Sequence, residues 1–159
     1  MKALLDTSAL IYLNDFRKFK KIFTVTEVLD EIKDRNTLLK LSGLKIEVLE
    51  PKKETVNEIK NIARKTGDLE KLSKTDLKIL ALAKETGSTI ISDDYCIQNV
   101  AQKIGINYIS LFSKKITKLI KWKKFCPICR RYFGNGKICP FCGEKLIRLP
   151  TKIKKIRNL

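Results

Sequence analysis

The 159-residue sequence contains no histidine. Histidine supplies the acid–base group of Ser-His-Asp hydrolases, Cys-His proteases and ribonucleases with a histidine pair, so these classes are excluded. No apolar run approaches the roughly 18 to 20 residues that a transmembrane helix needs. The N-terminus begins directly with a predicted strand, without the apolar segment of a signal peptide. We therefore expect a cytoplasmic protein that has no membrane partner.

Acidic residues are scarce in the last third of the chain. Residues 1–112 carry 19 Lys and Arg against 16 Asp and Glu, whereas residues 113–159 carry 15 against 1. The basic segment lacks a long amphipathic face with bulky anchors, so nucleic acid is a better polyanion for it than a membrane surface. If the protein hydrolyses phosphodiesters, carboxylates that hold divalent cations are the obvious route that remains without histidine.

Residues 1–112 alternate short apolar runs with amphipathic segments. The pattern predicts strands over 2–5, 21–24, 45–49, 89–92 and 106–109, and helices over 8–13, 26–35, 53–66, 74–86 and 95–103, with one or two further helical turns over 36–41. Strand–helix alternation with short connections favours an α/β/α sandwich around a central parallel sheet. We expect this domain over 1–112, a basic linker or helix over 113–124, a small cysteine module over 125–150 and a basic tail over 151–159.

Two CxxC pairs form the most specific motif of the sequence, Cys126–Cys129 and Cys139–Cys142. Four thiolates that converge from two tight turns make a structural zinc site, and Gly134-Asn135-Gly136 between the pairs suits a hairpin. The alternative of disulfides or a redox pair is disfavoured in a cytoplasmic chain. The spacing predicts a zinc ribbon whose metal has no open position and is therefore structural.

Acidic residues follow two predicted strands and lie on two predicted helices. Asp6 and the pair Asp93 and Asp94 each end a strand, and ligands bind beyond the carboxyl ends of parallel strands. Glu31 and Asp76 lie on helices beside the buried face. Three or four carboxylates gathered at one sheet edge would form a Mg²⁺ or Mn²⁺ site.

Each of these carboxylates also has a structural explanation. Asp6 could belong to a turn, although Ser8 is expected to cap the following helix. Glu31 could pair with Arg35, and its rival Glu27 could form a capping box with Thr24. Asp76 fits a capping box with Ser73, and one of Asp93 and Asp94 fits a helix cap.

Four motifs resemble the acidic motifs of PIN-domain ribonucleases: Leu4-Leu5-Asp6-Thr7-Ser8, Glu31-Ile32, Ser73-Lys74-Thr75-Asp76 and Ser92-Asp93-Asp94-Tyr95. With Ile120-Lys121-Trp122 and the ribbon, their order is similar to that of the archaeal NOB-type endoribonuclease family over nearly the whole chain. The resemblance implies catalytic acids at Asp6, Glu31, Asp76 and Asp94, with Asp93 beside the last. Thr26 is a departure, because relatives often have proline there.

The resemblance further implies a function and its partners. We expect metal-dependent cleavage of precursor 16S rRNA at its 3′ end within the pre-small ribosomal subunit, alongside possible assembly factors, with Mg²⁺ or Mn²⁺ on Asp6, Asp76 and Asp94. Attack by water would leave 5′-phosphate and 3′-hydroxyl products. Expected RNA contacts are Lys121, Lys123, Lys124, Arg130, Arg131, Lys137 and Arg148. The alternatives are a toxin-type PIN ribonuclease that acts on tRNA or mRNA, and a non-catalytic RNA-binding factor.

Overall fold

The computed structural model of the protein describes residues 1–112 and 118–155. Within residues 1–112, strands and helices alternate as the sequence pattern predicts. The elements are β1 (Lys2–Leu5), α1 (Thr7–Tyr12), β2 (Lys21–Thr24), α2 (Thr26–Asp30), α3 (Arg35–Ser42), β3 (Ile46–Val48), α4 (Lys53–Thr66), α5 (Lys74–Thr86), β4 (Thr89–Ile91), α6 (Tyr95–Ile104) and β5 (Tyr108–Ile109). No helix in the described ranges is both long and apolar enough to cross a membrane.

The five strands form one parallel sheet in the order β3-β2-β1-β4-β5. β1 lies at the centre, where Leu4 is opposite Phe23 of β2 and Ile90 of β4. Residues 3–5 of β1 are fully buried, which is the pattern of a parallel strand covered by helices on both faces. The predicted α/β fold with a central parallel sheet is confirmed.

The helix predicted over residues 26–35 is shorter in the structure, and the helical turns predicted over 36–41 form a separate helix, α3. α2 ends at Asp30, and the side chain of Asp34 accepts a hydrogen bond from the backbone N–H of Thr37 at 2.8 Å to cap α3. The apolar pattern hides this break, since an aspartate that binds a free N–H can start a new helix at any register. As a result, Glu31 lies directly after α2 instead of inside a long helix.

Residues 118–155 contain an antiparallel sheet of β6 (Lys118–Phe125), β7 (Tyr132–Phe133) and β8 (Ile147–Lys155), in the order β7-β6-β8. The predicted basic linker is wrong for residues 118–124, which belong to β6. The predicted basic tail is wrong for residues 151–155, which belong to β8. The rest of these two segments, 113–117 and 156–159, lies outside the described residues.

A polar joint, formed by Asp68, Asn99, Arg148 and the backbone of Ile120, holds this sheet against the first domain. Asp68 is only 1% exposed. Its carboxylate accepts a hydrogen bond from Asn99 Nδ2 at 2.6 Å and pairs with the guanidinium of Arg148. Asn99 also bonds both backbone groups of Ile120, at 2.9 and 3.0 Å. The joint satisfies a buried charge with partners from both parts of the chain, so it fixes β6 and β8 in place.

Gly67 tests this packing, because β6 passes directly over it. Gly67 has φ of 81°, and a Cβ there would overlap the backbone oxygen of Trp122. Gly87 is the matched control, with φ of 64° and nothing within 4 Å of its Cβ position. We expect Gly87→Ala to cost about 1 kcal/mol for the left-handed backbone alone, and Gly67→Ala to cost clearly more in urea unfolding. Equal losses would show that β6 does not pack against Gly67.

Candidate active site and cysteine cluster

Asp6 lies at the carboxyl end of the central strand and is only 8% exposed. Its Oδ1 accepts hydrogen bonds from the backbone N–H of Ala9 at 2.7 Å and from the hydroxyl of Ser8 at 2.8 Å. Asp6 is therefore the N-cap of α1, and the expectation that Ser8 caps this helix is wrong. The helix begins at Thr7, one residue earlier than expected, so the capping position falls on Asp6.

The surroundings of Asp6 favour a neighbouring cation. Burial raises the pKa of Asp6 above its ordinary 3.8, and the nearby charge of Asp93 acts in the same direction, while hydrogen bonds from Ser92, Ala9 and Ser8 oppose this rise. A buried carboxylate close to a second one is unfavourable in its ionised form unless positive charge offsets it. The donor set therefore fits a hard divalent cation such as Mg²⁺ or Mn²⁺, which prefers oxygen ligands.

Glu31 is linked to Asp6 through Thr7, the residue that follows Asp6 in the chain. The Oγ1 of Thr7 donates a hydrogen bond to Glu31 Oε2 at 2.5 Å. The alternative ion pair of Glu31 with Arg35 does not occur among the ion pairs of the described residues. Glu31 itself is exposed to solvent.

Glu27, the rival of Glu31, is committed to an ion pair. Lys78 of α5 contacts the carboxylate of Glu27 and also that of Glu50, at 2.7 Å from the latter. The capping box of Glu27 with Thr24 does not form, since Val25 is the N-cap of α2 without a side-chain bond. Lys78 neutralises Glu27, so Glu31 is the better acid for a cation at this edge.

Asp93 and Asp94 follow β4, the neighbour of β1 in the sheet. Asp94 caps α6, with its Oδ1 accepting from the backbone N–H groups of Cys96 at 2.5 Å and Ile97 at 3.2 Å. Asp93 binds the chain after β5, where its Oδ1 accepts from the N–H of Phe112 at 3.1 Å. Because Asp93 acts electrostatically on Asp6, both strand ends contribute to one acidic site.

Asp76 forms the predicted capping box with Ser73 at the start of α5. The Ser73 N–H donates to Asp76 Oδ2 at 2.7 Å, and the Asp76 N–H donates to Ser73 Oγ at 3.0 Å. α5 leads back into β4, so its N-terminus lies at the sheet edge where β1 and β4 end. No hydrogen bond among the described residues joins Asp76 to Asp6, Glu31 or Asp94, so its membership of the site stays a prediction that rests on topology.

The four ribbon cysteines converge on one point. Their Sγ atoms all lie within 4.8 Å of one another, and the separations are 3.5 Å for Cys126–Cys142 and 3.9 Å for Cys129–Cys139. Sulfur atoms at about 2.3 Å from a tetrahedral zinc lie roughly 3.8 Å apart. The cluster is compatible with zinc and offers four thiolates without an open position.

Each CxxC pair closes with the same turn. The N–H of Arg130 donates to the carbonyl of Cys126 at 2.8 Å, and the N–H of Gly143 donates to that of Cys139 at 3.0 Å. Both residues have left-handed backbones, with φ of 54° for Arg130 and 73° for Gly143. The two turns aim the paired sulfurs at a common centre, as the spacing predicts.

The structure divides the basic residues expected to contact RNA into two groups. Lys121, Lys123, Arg130, Arg131 and Lys137 are exposed. Lys124 and Arg148 are less exposed and form ion pairs, Lys124 with Glu70 and Arg148 with Asp68. Arg148 also lies over the Trp122 ring, 4.3 Å from its centroid. Contact of these two residues with RNA stays a prediction; their acidic partners are distant in sequence and could not be assigned from the chain alone.

Sequence reasoning missed a lysine groove of about 450 Å³, lined by Lys65, Lys103, Lys121, Lys152 and Lys154. Among the described residues, none of these five forms an ion pair with a carboxylate. Lys121 lies directly opposite Lys152 in the sheet, where like charges repel. The residues come from α4, α6, β6 and β8, so only the fold brings them together. A polyanion in the groove would relieve their repulsion.

Sequence reasoning also missed the hydroxyl groups that hold the acids. Thr7 donates to Glu31, and the hydroxyl of Ser92 accepts from the Asp94 backbone N–H and lowers the pKa of Asp6. The available signal was position alone, since both hydroxyl residues stand next to acids at the ends of neighbouring strands.

Comparison with known proteins gives consistent matches. A model described as the PIN domain of ribonuclease matches residues 3–86. The endoribonuclease Nob1 of Pyrococcus abyssi is 40% identical over 159 residues, which is 96% of each chain. The endoribonuclease Nob1 of Archaeoglobus fulgidus is 41% identical over 145 residues, or 88% of this chain and 87% of that one. The ribonuclease VapC1 of Thermoplasma acidophilum is 36% identical over 155 residues, or 96% of this chain and 80% of that one.

Proposed function

Because the chain belongs to the PIN-domain endoribonucleases of the Nob1 family, we propose that it cleaves precursor 16S rRNA at its 3′ end during small-subunit assembly. The observation that carries the proposal is the buried Asp6 at the sheet edge beside Asp93, with Glu31 held close by through Thr7. The partners would be the precursor rRNA and the pre-small subunit, in the cytoplasm.

The proposed active site consists of Asp6, Glu31, Asp76 and Asp94. Asp93, which follows the neighbouring strand β4, lies beside Asp94 in the chain. Asp6, Asp76 and Asp94 would hold Mg²⁺ or Mn²⁺. When bound, such a cation activates water and offsets the charge that develops on the phosphate. The chain contributes orientation, since Ser8 and the Ala9 backbone hold Asp6.

Glu31 has a different place in the proposed reaction. Thr7 holds one carboxylate oxygen, and the side chain is exposed, so the other oxygen can accept a hydrogen bond from a water molecule at the site. The sequence has no histidine that could accept a proton from this water instead. Attack by water leaves a 5′-phosphate and a 3′-hydroxyl and does not use the 2′-hydroxyl.

The cysteine cluster and the basic surface would supply the binding of RNA. One zinc on Cys126, Cys129, Cys139 and Cys142 would keep the ribbon folded, and the exposed residues Lys121, Lys123, Arg130, Arg131 and Lys137 would contact phosphates. The lysine groove extends this surface onto the first domain.

The lysine groove predicts a specific salt dependence. Each lysine that neutralises one phosphate contributes roughly 1 to the slope of log affinity against log salt. We expect Lys152→Ala combined with Lys154→Ala to lower that slope by about 2 for RNA of any sequence, as measured by fluorescence anisotropy from low to high salt. Lys84→Ala is the control, because Lys84 pairs with Glu58. A slope equal to that of the wild type would remove the groove from the RNA-binding surface.

A second candidate function follows from the match to the ribonuclease VapC1. In this case the chain would be a toxin-type PIN ribonuclease that acts on tRNA or mRNA. The appended ribbon and the near full-length matches to the two Nob1 endoribonucleases favour the rRNA substrate.

One cleavage assay distinguishes these functions. The protein is incubated with Mg²⁺ or Mn²⁺ and with three RNAs, namely a fragment across the 16S 3′ end, a tRNA and an mRNA. We expect a single cut in the rRNA fragment, no cut without a divalent cation, and a 5′-phosphate that allows ligation of the downstream product. A preferential cut in tRNA or mRNA would support the second candidate instead, and binding without a product would contradict both.

A further inference from the structure

Two aromatic side chains stand exposed near the acidic site. Tyr12 is 58% and Phe112 is 71% exposed. Their rings contact each other edge to face, with centroids 5.3 Å apart and planes at 80°. The two residues are a hundred positions apart in the chain, so the contact is made by the fold and is not a consequence of sequence proximity.

Both rings are tied to acids of the proposed active site. Tyr12 ends α1, the helix that Asp6 caps, and a helix of this length places it about 9 Å along the axis from Asp6. The backbone N–H of Phe112 donates to Asp93 Oδ1 at 3.1 Å. The aromatic pair is therefore linked to both strand ends that carry the carboxylates, through the backbone of Phe112 after β5 and through α1 after β1.

Packing of the protein core does not account for this pair. The buried residues of α1 are Ala9 and Leu10, and Tyr12 lies outside that buried face. In an edge-to-face pair only one face of one ring is covered by the partner. More than half of each side chain is in contact with solvent, so ring surface remains available to a planar ligand.

We propose that Tyr12 and Phe112 form a stacking platform for one unpaired base of the RNA next to the scissile phosphate. This inference rests on the proposed nuclease function. It adds a site for a base, whereas the acids act at the phosphate. Bases present a π-face whatever their sequence, so aromatic stacking binds single strands with little sequence preference. A base inside a duplex is already stacked on both faces, so the platform selects unpaired RNA at the cut.

Binding measured without Mg²⁺ or Mn²⁺ tests the platform separately from cleavage. A short single-stranded RNA across the 16S 3′ end is prepared as a series in which one nucleotide at a time is abasic. For the wild-type chain with its zinc bound and no added Mg²⁺ or Mn²⁺, we expect one position at which loss of the base weakens binding about 5- to 100-fold. Phe112→Ala and Tyr12→Ala should bind the intact RNA with a similar loss and should be insensitive to the abasic site at that position.

Two further variants sharpen the test. Phe112→Trp should keep the dependence on that base, because a larger ring can still stack. Leu39→Ala removes an equally exposed apolar side chain from α3 and should behave as the wild type.

The platform would be overturned if Phe112→Ala kept the wild-type loss at every abasic position, or if no position mattered for the wild type. It would also be overturned if the two alanine variants changed the oligomeric state in gel filtration while RNA binding stayed the same, since the rings would then bind a second copy of the chain. If the platform behaves as expected but divalent cations yield no product, the nuclease proposal fails and the binding site stands.

Discussion

Replacing Asp6 by Asn should reduce RNA cleavage by more than ~100-fold, since even the outer-shell partners of a metal ligand are worth 10- to 100-fold. Asn keeps an oxygen that can accept the hydrogen bonds from Ala9 and Ser8, so α1 keeps its cap. Only the negative charge at the sheet edge is lost. Single-turnover cleavage with Mg²⁺ and Mn²⁺ measures the effect, and binding of the RNA by the zinc-loaded protein without added Mg²⁺ or Mn²⁺ should stay within about twofold.

The same substitution should not destabilise the metal-free protein at neutral pH. Because the pKa of Asp6 in the folded state lies above its ordinary 3.8, the folded state binds this proton more tightly than the unfolded state does. Ionised Asp6 therefore lowers stability above the folded pKa, and this penalty disappears as the pH falls below 3.8. We expect Asp6→Asn to be at least as stable as the wild type at pH 7, with the difference shrinking toward acid pH.

Asp15→Asn is the matched control, because it removes one carboxylate from an exposed site that contacts Arg17 only. It should cleave like the wild type. Undiminished cleavage by a pure and folded Asp6→Asn protein would refute the assignment of Asp6. Strong destabilisation of that variant at neutral pH would instead show that the charge of Asp6 supports the fold.

The second large effect concerns the cysteine cluster. Replacing Cys139 by Ser, or removing metal with a strong chelator, should unfold the ribbon end of the β6–β8 sheet. Its apolar core consists of Leu146 with Cys126 and Cys139, which is too small to hold the fold alone. A structural zinc contributes about 10 to 16 kcal/mol of binding free energy that the ribbon would lose.

Zinc content and NMR spectra measure this effect. We expect one zinc per wild-type chain and none in Cys139→Ser, with amide signals of residues 126–146 collapsing while those of the α/β domain remain dispersed. Cys96→Ser is the control, since this cysteine lies in α6 away from the cluster and should retain the zinc. A ribbon that stays folded after the metal has been removed would contradict a structural metal.

The parallel sheet and the cysteine cluster could be predicted because their signals are local. Buried strands such as β1 are continuous apolar runs, and each CxxC pair defines its own turn. Asp6 is buried at the expected sheet edge, because a residue that directly follows a central parallel strand lies at the carboxyl edge of the sheet. The role of the acids as a cation site remains a prediction.

The positions that failed depend on contacts between distant residues. β6 and β8 alternate apolar and basic residues, and without knowledge of their pairing they have the composition of a linker and a tail. Arg148 was expected on the RNA surface, and its ion pair with Asp68, 80 residues away, could not be foreseen. The cap of α1 failed for a smaller reason, since a helix that begins at Thr7 has its cap at Asp6, two residues before Ser8.

The most direct test of the account is to locate the cation. Crystals grown with Mn²⁺ and measured at the manganese absorption edge report the ion independently of cleavage. We predict an anomalous peak in contact with Asp6 and with Asp76 or Asp94, and its loss in crystals of Asp6→Asn. A peak at a different part of the surface, or one that persists in Asp6→Asn, would contradict the proposal that these carboxylates form the catalytic site.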